Sequence, residues 1–167
     1  AVDISAARSG FVYGMNMAAG LLQPGMYRHI AVVGAEKMSE ILNWEDRGTC
    51  ILFGDGAGAA VFSASDQLDQ GCLYQSMASD GGKWNLLYVP MDNDDLPAEG
   101  EGAEFNGKLG TVQMNGREIY KFAVTTLMRT LRTSLKACDL KPADLAMIIA
   151  HQSNARILES ARDKLGL

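Results

Sequence analysis

"DISAARSGFVYGMNMAAGLLQPGMYRHIAVVGAE", residues 3–36, holds the alternation that sets the fold. A strand-like opening passes through Ala6 and Ala7 into a run where Phe11, Val12, Met15, Ala18, Ala19 and Leu22 recur at helical spacing. Pro24 and Gly25 supply the stop. "HIAVVGAE", residues 29–36, is short, apolar and rich in β-branched side chains, and it predicts a strand buried on both faces. Apolar runs of this kind alternating with amphipathic helices predict an α/β fold.

The rest of the chain extends the pattern. "TCILFGDGAGAAVFSAS", residues 49–65, places two apolar runs around a glycine-rich turn and predicts a hairpin, so the sheet is expected to be mixed rather than wholly parallel. "CLYQSMAS", residues 72–79, predicts another strand. Residues 80–110 are rich in Gly, Asp and Glu without a sustained period, and predict a long surface excursion. Beyond it, Tyr120, Val124, Leu127, Leu131, Leu135 and Cys138 form the apolar stripe of a helix over 116–138. "LAMIIAHQSN", residues 145–154, predicts a buried strand ending in polar residues, followed by a helix over 155–165 that Gly166 closes.

Composition narrows the function. The chain has 167 residues, 47% of them hydrophobic, which suffices for one core. Its formal charge of −5 argues against nucleic acid and anionic membranes as main partners, since both reward a basic face. The charge is uneven: residues 117–164 carry nine Lys or Arg against five Asp or Glu, whereas 92–104 carries six acids and no base. This predicts that an acidic partner could dock on the C-terminal third. Cys50, Cys72 and Cys138 are far apart, and His29 and His151 have no ligand-spaced neighbour, so no metal site and no disulfide framework are expected. That cysteine usage fits a reducing compartment. No apolar run reaches the roughly 18 residues of a membrane span, and no signal-peptide pattern opens the chain. Because Ala1 and Val2 already read as the interior of a strand, the chain is expected to be a piece of a larger protein.

Two motifs bear on chemistry. Gly54, Gly56 and Gly58 in "FGDGAGAA" resemble a nucleotide loop, but a strand-like run follows them, so no helix N-terminus is offered to a phosphate. "AHQSN" places His151 after an apolar run, at the end of a strand where α/β proteins assemble their sites, with Asn154 three residues on. An imidazole there suits acyl or enolate chemistry, donating to an oxyanion or moving a proton. Arg8 poses the opposite problem. The small residues around it suit a nucleophile at a helix start, yet its guanidinium stays protonated and adds like charge to the positive end of the helix. Burying that cation without a partner costs several kcal/mol, so a shifted chain or an anion beside it is expected.

Five motifs in order, "DISAARSGFVYG", "VVGAE", "WEDRGTCILFGDGAGAAV", "MNGREIYKFAV" and "AHQSNARI", resemble β-ketoacyl-acyl-carrier-protein synthase III, the condensing enzyme family that starts bacterial type II fatty-acid synthesis. The resemblance implies a thiolase-like fold of mixed sheets and helical layers, usually homodimeric and cytoplasmic, of which this chain has roughly half the usual length. Residues 1–79 would hold the end of the first half and the start of the second, 80–110 the acidic loop, and 111–167 the continuation of the second half. The family takes an acyl group from acyl-CoA, a substrate rather than a cofactor, and condenses it with malonyl-acyl-carrier protein.

In the family, a cysteine occupies the position of Arg8 and accepts the acyl group. His151 matches the histidine that binds the thioester carbonyl, and Asn154 matches the residue that supports its loop; the family's later asparagine has no counterpart before Leu167. Arg47 falls where the family meets the adenine end of CoA, and Gly116 and Arg117 fall beside the pantetheine channel, Arg117 at a position that is often asparagine. Lys121, Arg156 and Lys164 match basic positions that meet the carrier protein. Two functions follow from the departure at Arg8: a condensing enzyme that has lost acyl transfer, or a non-catalytic homologue that binds or scaffolds the carrier protein.

Overall fold

Tight packing of a helix on a two-stranded ribbon builds the first of two units into which the chain divides, Ala1–Glu36 with Gly56–Ala78; the second is Lys37–Asp55 with Ser79–Leu167. The computed structural model describes residues 1–67 and 71–165.

In the first unit α1 spans Gly10–Leu22 and is preceded by a 3-10 turn over Ala7–Ser9. It ends where the sequence predicts, with Gly25 in the left-handed region at φ 73° and its N–H donating to the Leu22 carbonyl at 3.0 Å. Strand β1, His29–Glu36, pairs antiparallel with β2, Gly56–Ser63, over its whole length. Facing pairs share a side of the ribbon. Ile30, Val32 and Gly34 therefore lie on one side with Phe62, Ala60 and Gly58, and α1 covers that side. The contact is close: a Cβ on Gly14 would stand 2.7 Å from Val32 Cγ1, so only glycine fits. Ala18, four residues further along α1, is buried.

Three expectations change here. The strand β1 is covered on one face rather than both. Ala31, Val33 and Ala35, with Val61, Ala59 and Ala57, form an apolar face open to solvent within this unit, Val33 at 68% exposure. The predicted hairpin is replaced by a long-range pair, because residues 49–52 form turns and 53–55 join no strand, and Gly56 and Gly58 lie inside β2 opposite Glu36 and Gly34. Residues 72–79 form no strand: their backbone meets α1 side chains instead, Tyr13 Oη donating to the Ala78 carbonyl at 3.1 Å and Asn16 Nδ2 to that of Ser76 at 3.5 Å.

In the second unit the segment 80–110 is more ordered than its composition suggests. A 3-10 helix, Gly81–Leu86, leads into β3, Leu87–Tyr88, which pairs antiparallel with β4, Gln113–Met114. The return is pinned by hydrogen bonds from Ala103 N–H to the Asn85 carbonyl (2.7 Å) and from Gly110 N–H to that of Pro90 (2.7 Å). Gly102, at φ 78°, passes so close to Asn85 that a Cβ would stand 2.3 Å from its carbonyl oxygen. Gln113, 1% exposed, satisfies its amide within the loop, donating to the Thr111 carbonyl and accepting from Asn106 N–H, each at 2.8 Å.

Helix α2, Gly116–Ala137, packs on α3, Ala155–Leu165. Val124, Met128 and Leu135 are buried on α2, and Ile157 and Ala161 on α3. Tyr120, expected within the buried stripe, is exposed, because the stripe that faces inward is centred on Met128. The predicted strand over 145–154 is absent: no strand pairs with it among the described residues, and Ile149 is 90% exposed. An extended backbone without a neighbour leaves its N–H and C=O groups outside any ladder. Gly166 lies outside the described residues. No helix among those described is long and apolar enough to cross a membrane.

Candidate functional site

Arg8 lies in the first unit and the other eight candidate residues lie in the second. The 3-10 turn that carries Arg8 starts from Ala7 at φ 43°, a left-handed conformation that costs an alanine about 1–2 kcal/mol. Ser9, which precedes α1, makes no side-chain cap bond, so the positive helix end receives no capping oxygen from it. Arg8 is exposed within its unit, yet neighbouring atoms strip enough water from it to lower its pKa, while attraction to Glu36 acts in the opposite sense. The side chain remains a guanidinium and supplies no nucleophile.

In the second unit Arg47 is carried on a turn closed by its neighbours. Asp46 accepts from Gly48 N–H at 2.9 Å and from the Thr49 hydroxyl at 2.7 Å, and Cys50 N–H returns to the Asp46 carbonyl at 3.0 Å. The Thr49 hydroxyl bond, reinforced by Gly48 and Asn106, holds the Asp46 carboxyl below its ordinary pKa. Arg47 projects from this turn into solvent.

Gly116 and Arg117 open α2, where Asn115 is the cap: its Oδ1 accepts from Glu118 N–H at 3.2 Å, and its own N–H donates to the Leu86 carbonyl at 2.9 Å. Lys121 donates to Glu118 one turn below it, and this bond is the main cause of the lowered Glu118 pKa. Lys121 is thus already paired.

His151 stands in the segment just before α3, exposed to solvent. Asn154 caps the helix, its Oδ1 accepting from Arg156 N–H at 2.9 Å while its carbonyl accepts from Ile157 N–H at 3.0 Å. The cap fixes the direction in which the chain leaves His151, and Arg156 sits in the first turn, open to solvent. Lys164, in the last turn, lines a groove against α2.

Sequence reasoning missed two features of this unit. Arg129 and Arg132 line the same groove as Lys164, and their signal is the three- and four-residue spacing that puts Thr125, Met128, Arg129 and Arg132 on one side of α2. Exposed Trp44 borders a cleft of about 400 Å³ with Asn43, Asn106 and Lys108.

Known proteins match this chain along its whole length. The 3-oxoacyl-(acyl-carrier-protein) synthase III family profile matches residues 2–81. The chain is 44% identical, over all 167 residues, to the β-ketoacyl-(acyl-carrier-protein) synthase III of Caldanaerobacter subterraneus, covering 50% of that protein. Among solved structures, the 3-oxoacyl-(acyl-carrier-protein) synthase III of Aquifex aeolicus superposes with a TM-score of 0.84 at 37% identity, over 99% of this chain and 48% of its own. The Thermus thermophilus synthase III also gives 0.84, at 33% identity, over 99% and 50%. The chain spans about half the length of the curated relatives it matches. The chain is thus similar over its whole length to proteins named β-ketoacyl-(acyl-carrier-protein) synthase III and shares their thiolase-like α/β fold.

Proposed function

We propose that this chain forms part of a protein of the condensing-enzyme class, built to join a short acyl group from acyl-CoA to malonyl-acyl-carrier protein, and that Arg8 prevents it from taking up the acyl group. The observation that carries this reading is the 44% identity over the full chain to a protein named for that class. In the condensation, loss of CO2 from the malonyl thioester leaves an enolate, whose carbon attacks an acyl thioester and expels the thiolate. The product is a β-ketoacyl-carrier protein. His151 would donate a hydrogen bond to the developing enolate oxygen, and Asn154 would hold the loop through its cap on α3. Arg47, Gly116 and Arg117 would contact CoA. Lys121, Arg156 and Lys164 would meet the carrier protein.

Acyl uptake needs a thiolate, and the helix start that would hold one carries a guanidinium. Arg8 therefore also favours a second reading, a homologue that binds or scaffolds the carrier protein without transferring acyl groups. The division into thiolase-like halves, the homodimer and the cytosolic location belong to the same family-based proposal. The test is to incubate the intact protein with acetyl-CoA and malonyl-acyl-carrier protein and to follow β-ketoacyl product by mass spectrometry. The expected result is no product from the protein as it stands and product from Arg8→Cys. Product from the unaltered protein refutes the block at Arg8; continued silence of Arg8→Cys with carrier binding intact favours the scaffold.

A further inference from the structure

The glycine-rich motif around Gly54, Gly56 and Gly58 offers no helix N-terminus to a phosphate, yet it carries a carboxylate, Asp55, that the proposed function leaves without a task. Asp55 ends the stretch Lys37–Asp55, which joins β1 to β2 and lies in the second unit. Near the other end of that stretch, on a 3-10 turn over Met38–Ile41, Ser39 donates to it twice: from its backbone N–H to Oδ1 at 2.8 Å and from its hydroxyl to Oδ2 at 2.6 Å. Both carboxylate oxygens are thus engaged, and the hydroxyl bond is the largest cause of a carboxyl held below its ordinary pKa. Lys37 adds attraction from the same limb. One side chain therefore closes the neck of the loop 40–54.

That loop has an inner and an outer side. Inside, Leu42, Asn43 and Thr49 are buried, the Ile41 carbonyl accepts from Val112 N–H at 2.9 Å, and Asn106 helps to hold the Asp46 carboxyl. Outside stand Trp44 and Arg47, both open to solvent. The limb that returns from Arg47 to the neck exposes Ile51 at 75% and Leu52 at 46%, so burial does little to hold it. With so little burial along the limb, the bonds at its end limit how far it moves.

Resting on the reading that Arg47 contacts CoA, we infer that Ser39 and Asp55 are positioning residues for CoA, closing the loop that carries Arg47 and so holding its guanidinium ready for the nucleotide end. Order imposed before binding does not have to be imposed by the ligand, and a closed neck therefore shows as affinity. Neither side chain is assigned a contact with CoA; the effect reaches the ligand through Arg47. The glycine-rich motif thereby serves a nucleotide through its carboxylate rather than through its glycines.

The experiment measures the dissociation constants of CoA and of pantetheine for the intact protein by titration calorimetry. Pantetheine lacks the nucleotide, so the ratio of the two constants reads that end alone. Asp55→Ala is expected to shrink the ratio about fivefold, the scale of ordering one long side chain. Ser39→Ala, which keeps the backbone N–H bond, is expected to shrink it about twofold, and it carries the test if Asp55→Ala does not fold. Ser39→Thr, which keeps the hydroxyl, is expected to preserve the ratio, as is Glu40→Gln, whose carboxylate pairs with Lys37 on the same turn. Arg47→Ala is expected to shrink the ratio, and adding Asp55→Ala to it is expected to shrink it no further, because the pair acts through Arg47. A ratio that stays unchanged in Asp55→Ala and Ser39→Ala, even if both ligands weaken together, overturns the inference, and a loss in Arg47→Ala then leaves the CoA reading standing. Losses that add in the double variant also overturn it, since Asp55 would act on the nucleotide without Arg47. An unchanged ratio in Arg47→Ala removes the CoA reading of that residue and the inference with it.

Discussion

The starts of α1 and α3 are opposites. At α3, Asn154 turns its side-chain oxygen onto the first free N–H groups, and His151 stands three residues before it. At α1, Ser9 provides no cap, Ala7 is forced to φ 43°, and Arg8 adds positive charge where the helix is already positive. One start is stabilised locally by its own sequence. The other is held by packing further along, where Gly14 lets α1 settle against Val32. A helix start with no cap and a distorted turn leaves its first N–H groups without a side-chain oxygen, and Arg8 adds a cation beside them.

The comparison breaks most visibly at residue 8. Arg8→Cys is expected to put a thiol at the positive end of α1, where its pKa falls and it alkylates with iodoacetamide at least tenfold faster at pH 7 than exposed Cys72 does. A thiol no faster than Cys72 would show that the helix end supplies no activation. Next comes the packing that replaces the cap. Gly14→Ala should cost about 1–3 kcal/mol in chemical denaturation, because the new methyl collides with a β-branched side chain that has few rotamers to retreat into. An unchanged midpoint would mean that α1 is not seated by this contact.

The caps themselves sharpen the contrast. Asn154→Ala should cost about 0.5–2 kcal/mol, whereas Ser9→Ala should stay within about 0.5 kcal/mol, since only the former deletes a cap bond. Equal losses at the two positions would erase the distinction. The smallest effect is set by pH. Asp46, Asp55 and Glu118 all have folded pKa values below their ordinary ones, through Thr49, Ser39 and Lys121 respectively. Each therefore contributes stability that is complete above the unfolded carboxylate range and is lost as pH falls through the lowered folded values. Thermal melts should hold steady from pH 7 to about 5 and decline below about 4, and Thr49→Ala should soften the decline by removing the largest cause at Asp46. A melting temperature flat down to pH 3 would contradict the assignment.

Local signals made much of this legible in the sequence. The helices α1, α2 and α3 follow from periodicity and from the residues at their ends, Pro24 and Gly25 after α1 and Asn154 before α3, all of which act within a turn. Strands were harder, because a strand is completed by a neighbour that the local sequence does not name. "HIAVVGAE" and "LAMIIAHQSN" look alike, yet the first finds β2 twenty residues downstream and the second pairs with no strand among the described residues. The same limit hid the partner of β2, which crosses to β1 and leaves the adjacent run 49–55 outside any strand. Motif order singled out His151, Asn154 and Arg47 as candidates, whereas the groove that Arg129, Arg132 and Lys164 line exists only where α3 packs on α2, which no local stretch of sequence spells out.

The most direct measurement is transfer of label from radiolabelled acetyl-CoA to the intact protein, read as hydroxylamine-sensitive radioactivity that survives denaturing gel filtration. With Arg8 in place no label should remain on the protein, and Arg8→Cys should acquire it. Label retained by the protein carrying Arg8 would contradict the claim that this residue closes the acyl-transfer step.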